Sequence, residues 1–327
     1  MTHPIPPGTR DVLPDEMREL RRLQMALLDV FESFEYSEVR TPTIEYADVV
    51  DRGDELDAGA YRFFDDRGEL LALRTDMTIP IARLVATRFG EVTPPYRLSY
   101  MANAYKAVTP QRAQLREFGQ AGIELIGVEG AAGTAEVVDV LTRSLDAVGL
   151  SKSVIGLGDS RLWGCLLSDF SADPELIKAT AARLARHDIV GLEFDLETAG
   201  SLTQEQISTL TGLIQLRGGP DVIGRARGMG GASFEASLDS LQATYDAIAE
   251  RGGADRIQVD LGLLRDLGYY SGSILEVYDP SVGEVIGGGG RYDGLMTKFG
   301  VDQPAAGFSL YVERIHKAQL EQGRNDV

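Results

Sequence analysis

One cysteine and three histidines are all that this 327-residue sequence holds of the residues that most often grip metals or form bridges. A lone cysteine, Cys165, excludes an internal disulfide and any zinc cage built from thiolates. Its setting, LWGCLL, is apolar and reads as a buried small hydrophobe, not a reactive thiol. His3, His187 and His316 are scattered and suggest no metal site. Basic residues are also scarce: 32 Lys and Arg against 50 Asp and Glu give a net charge of −18. Nucleic-acid binders draw most of their affinity from cations at phosphates, so this balance argues against such a role unless a local basic patch survives. No apolar run approaches the roughly 20 residues of a membrane span. The opening MTHPIPPGTRDVLP has no basic stretch followed by an apolar one, so no export signal is read there. A phosphate loop of the Gly-Lys-Ser/Thr kind is missing. The remainder is ordinary for a globular protein, with 43% hydrophobic and 25% charged residues in a length that suits one large domain or two smaller ones.

Periodicity predicts the elements. Pro14 and Asp15 suit a first helical turn, and from Glu16 to Phe34 apolar residues recur at three- and four-residue intervals. SEVRTPTIEY alternates, predicting a strand that ends at Pro42. Tyr61–Arg74 predicts a hairpin turning at Asp66-Arg67-Gly68, followed by a helix over Thr78–Phe89 and a break at Pro94-Pro95. Strands are predicted at Tyr96–Tyr105, Phe118–Gly127 and Ser153–Asp159, with a helix over Gly133–Val148 between the last two. Residues 161–231 carry helical periodicity, Gly- and Pro-rich joints and no chemical motif, which predicts a small helical insertion. A helix over Ser233–Arg251 then leads to strands at Arg256–Leu264, Ser273–Asp279 and Glu284–Gly290. Strands joined by short turns predict an α+β fold, an antiparallel sheet with helices on one side. The core is thus expected from 1–160 and 232–318, the insertion from 161–231, and a frayed tail from 319–327.

Five segments carry candidate chemistry. LRTDMT (Leu73–Thr78) offers Asp76 and Thr78, although Thr75 or Asp76 also reads as a helix cap. REFGQAGIE (Arg116–Glu124) places Gln120 and Glu124 four apart, on one face of a strand. They are costly to bury without partners, and the plain alternative is an exposed polar sheet face. LLRDLGYYSGSILE (Leu263–Glu276) supplies Arg265, Tyr269 and Tyr270. GGGGRYDGL (Gly287–Leu295) permits close backbone approach, and AAGFSLYVERI (Ala305–Ile315) follows with Arg314.

In this order the segments resemble the motifs of class II aminoacyl-tRNA synthetases, in the version carried by histidyl-tRNA synthetases, from PPGTRDVLP to VERI. The resemblance implies a class II synthetase-like sheet and a dimer interface formed by the first helix, strand and proline. It implies a histidine pocket in which Asp76, Thr78 and Gln120 accept from the ammonium. Glu124 and Tyr270, with Tyr269 beside it, contact the imidazole, and Arg265 holds the carboxylate in a bidentate pair.

The departures from that family lie on the ATP side. Where it carries an Arg-x-Glu unit, this chain has Lys106, Ala107 and Val108, and its next arginine is Thr109. Lys106 offers a point charge in place of a planar fork. Arg116 and Arg314 remain, but Tyr311 replaces a glycine in the adenine-side motif. Asp replaces Glu at Asp76, and Asp266 and Gly268 stand where the family has Gly and Asp. Each lost contact to a developing charge costs about 2.7–4 kcal/mol of transition-state stabilisation, so adenylation is expected to fail. Only 327 − 314 = 13 residues follow Arg314, so no anticodon-binding domain is expected.

A synthetase-like body of this kind resembles the family of ATP phosphoribosyltransferase regulatory subunits. That resemblance implies a non-catalytic, cytoplasmic subunit without a cofactor. L-histidine is its effector and a short-form catalytic subunit its partner, with a homodimer inside a hetero-oligomer. Membrane association is not implied, and tRNA binding is disfavoured. The competing readings are a truncated histidyl-tRNA synthetase that still forms the adenylate, and a synthetase-like protein that binds another ligand or tRNA.

Overall fold

Helix α1 spans Pro14–Ser33, and its apolar stripe of Leu20, Leu23, Leu27 and Phe31 is buried. It belongs to a computed structural model that describes residues 4–53, 59–107, 115–265 and 268–325. Val108, Thr109 and Asp266 lie outside these residues.

The strand expected over SEVRTPTIEY is two short pieces, β1 (Ser37–Glu38) and β2 (Ile44–Tyr46). Pro42 lies between them and has no N–H for a ladder. The pieces serve different sheets: β1 pairs with the main sheet and β2 with a small one. Helix α2 (Ala47–Asp51) follows, then the expected hairpin of β3 (Arg62–Phe64) and β4 (Leu70–Leu73). Asp65 closes it by accepting from the N–H groups of Arg67 and Glu69 at 2.8 and 2.9 Å. Helix α3 (Thr78–Arg88) leads to β5 (Tyr96–Tyr105) and β6 (Glu117–Ile126), ten residues each and paired antiparallel along their whole length. Helix α4 (Gly130–Ala147) and β7 (Val154–Asp159) complete the first part.

Residues 161–231 fold as α5 (Leu162–Asp169), α6 (Pro174–Ala185), α7 (Ile189–Thr198), α8 (Gln204–Ile214), the short β8 (Arg217–Gly218) and α9 (Asp221–Ala226). Asp173, Asp188 and Thr203 cap three of the helices through their side chains. Two features of this segment escaped the periodicity. β8 adds an edge strand to the main sheet, and Trp163, Leu166, Leu210 and Leu213 share one apolar cluster with Ile155 and Leu241 of the body. Trp163 Nε1 donates to Leu261 O at 2.8 Å, tying the segment in. Cys165 is half-buried on α5, 3.7 Å from Ser237 Oγ.

Helix α10 (Ala232–Glu250) returns the chain to β9 (Ile257–Asp260), β10 (Ser273–Tyr278) and β11 (Val285–Arg291). Helix α11 (Asp293–Lys298), β12 (Ala305–Tyr311) and α12 (Val312–Asn325) end it. The main sheet runs β1-β5-β6-β12-β11-β10-β7-β9-β8. It is antiparallel except at β1–β5 and β7–β9. Parallel neighbours need a long crossover, and β7 reaches β9 only through the helical segment and α10.

Helices cover both faces of the sheet, not one as expected. Ala121, Ile123 and Leu125 of β6 pack in the cluster that contains α1, α4 and α10 residues. Leu98 and Tyr100 of β5 pack in a second cluster with Met77, Ile81 and Val85 near α3 and with Leu295 and Met296 of α11. Strand alternation forces the split, since successive side chains point to opposite faces. The expected frayed tail is also helical to Asn325. Gln319 Nε2 donates to Val148 O at 2.7 Å and Gln322 Nε2 reaches Asp279 at 3.3 Å, which docks α12.

Phe31 is fully buried, edge-on to Phe308 with ring centroids 5.9 Å apart. Phe31→Ala is expected to lower stability by about 3–5 kcal/mol, through lost transfer energy and the cavity left behind. Urea unfolding checks this; an unchanged midpoint would contradict the packing of α1 on the sheet.

Candidate functional site

On β6, odd-numbered residues enter the helix-packed core, so Gln120 and Glu124 point to the other face, beside the start of α3. There a cavity of about 700 Å³ opens. Asp76, Gln120, Arg265 and Tyr269 line it together with Lys106 and Glu276. Four segments distant in sequence thus meet at one opening.

Asp76 performs two tasks. Its Oδ1 accepts from the Ile79 N–H at 3.1 Å, capping α3, and its Oδ2 accepts from Tyr269 O–H at 3.3 Å. Asp76 thus caps α3 and lines the cavity at the same time. Gln120 is 5% exposed, and its Oε1 has no hydrogen-bond partner among the described residues. A buried acceptor in that state costs about 1–3 kcal/mol, which a donor entering the cavity would recover. Arg265 donates from Nη1 to Leu275 O at 3.1 Å. Its guanidinium lies against β11 at Gly288, where an added methyl would sit 1.3 Å from Nη1. The glycine run therefore admits a protein side chain to the cavity wall. Sequence reasoning assigned that space to the ligand.

Glu124 and Thr78 lie behind the opening, outside its lining. Glu124 is 1% exposed. Its Oε1 accepts from Thr78 Oγ1 at 2.8 Å and its Oε2 from Tyr292 O–H. Gly307 makes room for it, since a methyl there would stand 1.9 Å from Oε2. Burial raises the Glu124 carboxyl to about 8, against the lowering effect of its two hydrogen bonds. Tyr270 lies 5.0 Å from Tyr269, ring to ring, but lines a second cavity of about 170 Å³. Arg265 lines both.

The ATP-side positions are arranged differently. Lys106 lines the cavity, and its backbone N–H donates to Arg116 O at 2.9 Å across the β5–β6 hairpin. The Arg116 N–H donates in turn to Gly8 O at 2.7 Å. Val108 falls outside the described residues. Arg314 is engaged within the protein: Nη1 donates to Val285 O at 2.5 Å, Nε is 3.3 Å from Glu284, and the guanidinium lies 4.4 Å over the Tyr311 ring. Tyr311 is also edge-on to Phe118 at 5.7 Å, so its ring fills a wall where the synthetase motif has glycine.

Three lining or supporting residues were missed. Tyr292 was within a quoted motif, but only the glycines before it were used. Glu276 faces the cavity, bonded to Tyr278 O–H and 3.9 Å from His187. Glu313 accepts from the Gly119 N–H at 2.9 Å, and burial raises its carboxyl above the usual range. Alternation within β10 could have shown which side chains share a face with Glu276. Nothing local shows which face meets the cavity.

The sequence profile of histidyl-tRNA synthetase matches residues 8–315. The ATP phosphoribosyltransferase regulatory subunit of Moorella thermoacetica is 39% identical over 320 residues, 97% of this chain and 82% of its own length. The subunit of the same name from Symbiobacterium thermophilum is 38% identical over 327 residues, 98% of this chain and 80% of its own. A solved structure of an ATP phosphoribosyltransferase regulatory subunit/histidyl-tRNA synthetase from Bacillus halodurans superposes with a TM-score of 0.89 at 30% identity, covering 97% of this chain and 83% of that one. A histidine–tRNA ligase subunit from Alicyclobacillus acidocaldarius gives 0.86 at 27% identity, covering 99% of both.

The buried carboxyl makes a pH prediction. Between pH ~4.5 and ~8 the folded chain holds a proton on Glu124 that the unfolded chain has released. This group's contribution to stability is therefore fully present below about pH 4.5 and falls as pH rises through about 8, with a slope of up to about 1.4 kcal/mol per pH unit. Glu124→Gln removes that slope. Urea unfolding of both proteins at several pH values checks it; parallel stability curves would contradict a protonated Glu124.

Proposed function

The chain belongs to the histidyl-tRNA synthetase-like family of ATP phosphoribosyltransferase regulatory subunits, and from this we propose that it senses free L-histidine without activating it. Histidine sits in the 700 Å³ cavity, its ammonium on Gln120 and Asp76 and its carboxylate on Arg265. One observation carries this reading: the buried Gln120 Oε1 has no partner among the described residues, and Gln120 lines a cavity that Arg265 lines too. An ammonium supplies the missing donor, and a carboxylate complements a guanidinium that has no ion pair among the described residues.

The chain is non-catalytic on this reading. Arg314 is bound to Val285 O and Glu284, and Tyr311 fills its side of the wall. Lys106, a point charge, stands where the synthetases carry a fork. Tyr269 supplies an aromatic wall of the pocket, and Glu124 and Tyr270 lie outside its lining.

Histidine occupancy passes to a short-form catalytic subunit as a coupling free energy between two sites, reciprocal for binding. A homodimer within that hetero-oligomer is supported by the small sheet. Register places Ile44, Tyr46 and Phe63 on one face, and they are 46%, 55% and 38% exposed. No helix among the described residues is long and apolar enough to cross a membrane. Cytoplasmic location and weak tRNA affinity fit the biosynthetic role and the charge of −18.

Calorimetric titration of L-histidine, with and without ATP, tests the reading. Binding indifferent to ATP is expected, with no pyrophosphate exchange. Strong mutual dependence on ATP would favour the synthetase reading. Arg265→Ala is expected to weaken histidine binding by about 1.5–3 kcal/mol, the scale of a charged hydrogen bond. Unchanged affinity would remove Arg265 from the pocket. In an assay with a short-form ATP phosphoribosyltransferase, the chain is expected to raise activity, and histidine to reduce it.

A further inference from the structure

The lining of the main cavity provides for the ammonium and the carboxylate of histidine but leaves its ring unassigned, because Glu124 and Tyr270 lie outside that lining. A neutral imidazole carries one N–H donor, and a pocket that excludes water must meet it with an acceptor. Five carboxylates line the cavity. Asp76 caps α3 and accepts from Tyr269 O–H. Glu313 accepts from the Gly119 N–H. Glu16 is paired with Arg10, and Glu284 with Arg314 and Lys317, and their side chains keep 28% and 30% exposure. The fifth, Glu276, is 7% exposed.

Strand geometry sets Glu276 beside Arg265. Leu275 and Val277 of β10 enter the helix-packed core, so Glu276 between them points to the cavity face. Its register partner on β11 is Gly288, the glycine against which the Arg265 guanidinium lies. Neighbouring strands stand about 4.8 Å apart. A ligand carboxylate held on Arg265 therefore keeps the rest of its amino acid within about one strand of Glu276. The register continues from Gly288 to Ser309 of β12 and on to β6. Between Glu276 and β6 this row of the sheet itself carries only a hydrogen and a hydroxymethyl group, which leaves space above it for the guanidinium and a ring.

The carboxylate is oriented from its own strand, where Oε2 accepts from Tyr278 O–H. It also stands beside an imidazole of the protein, since His187 Nε2 is 3.9 Å from the same oxygen. An ionised carboxylate has about four lone-pair sites, so these two contacts leave it able to accept from a ligand.

We propose that Glu276 is the residue that selects histidine from other amino acids, by accepting the N–H of its imidazole while Arg265 holds its carboxylate. The assignment rests on the histidine reading of the main cavity and adds the partner of the ring to it.

The test compares two ligands by calorimetric titration into the full chain and into two variants. L-Histidine and β-(2-thienyl)-L-alanine share an outline, but the thiophene ring has no N–H. The unaltered chain is expected to prefer histidine by about tenfold or more, because a site that bonds an N–H rejects an analogue lacking it. Glu276→Gln keeps an oxygen for Tyr278 and lowers the charge, and Glu276→Met removes the acceptor at similar size. Both are expected to lose most of the preference, through weaker histidine binding at unchanged thienylalanine binding. Thermal unfolding verifies that each variant is folded, and either one suffices for the comparison. A preference kept in the variants overturns the assignment. So does equal weakening of both ligands, the mark of a field effect on Arg265 and not of ring recognition. If the unaltered chain fails to bind histidine, or binds it no better than the analogue, the histidine reading falls and this assignment falls with it.

Discussion

The burial of Glu124 is the constraint from which the site is built. A carboxyl at 1% exposure survives only with donors on both oxygens and a neighbour small enough to admit it. Thr78 supplies one donor at 2.8 Å, Tyr292 the other, and Gly307 the space. These contacts join the start of α3, the end of β11 and the middle of β12 to β6. Meeting them fixes the relative positions of the elements that carry Asp76 and Gln120. The cavity is the open side of this buried knot.

The same economy of space shapes the wall at Arg265. Gly288 lets the guanidinium lie flat against β11, and Leu275 O anchors one of its nitrogens. A strand of successive glycines permits close backbone approach. Here its recess is occupied by the side chain of another segment. On the opposite wall Tyr311, held between Phe118 and Arg314, fills space by the same logic in reverse. A larger residue replaces a glycine, and the arginine it stacks on turns to protein partners. The cavity thus has polar groups on one side and a filled wall on the other.

The helical segment belongs to this arrangement more closely than its composition suggests. Its apolar residues share the core cluster of the body, its strand β8 extends the sheet, and Ala185 touches both cavities. His187 approaches Glu276 at 3.9 Å from the same turn.

Much of this was legible in the chain, because periodicity is local. The α1 stripe and the strands β5 and β6 follow from neighbours within four residues. So did the spacing of Gln120 and Glu124, and the segments that bear Asp76 and Arg265. What pattern could not supply was anything decided between distant residues. The break at Pro42 sends its two halves to different sheets only because β5 and β4 offer separate edges. The covering of both sheet faces, the docking of α12 by Gln319 and Gln322, and the parallel β7–β9 pair all depend on long-range packing. The split of the site depends on it too. Sequence placed Glu124 and Tyr270 with the ligand, whereas packing seated Glu124 behind Thr78 and Tyr292 and turned Tyr270 toward a second cavity. Side-chain type and spacing state which chemistry is available. Burial, partners and free space, which set the charge and reach of each group, exist only once the chain has closed on itself.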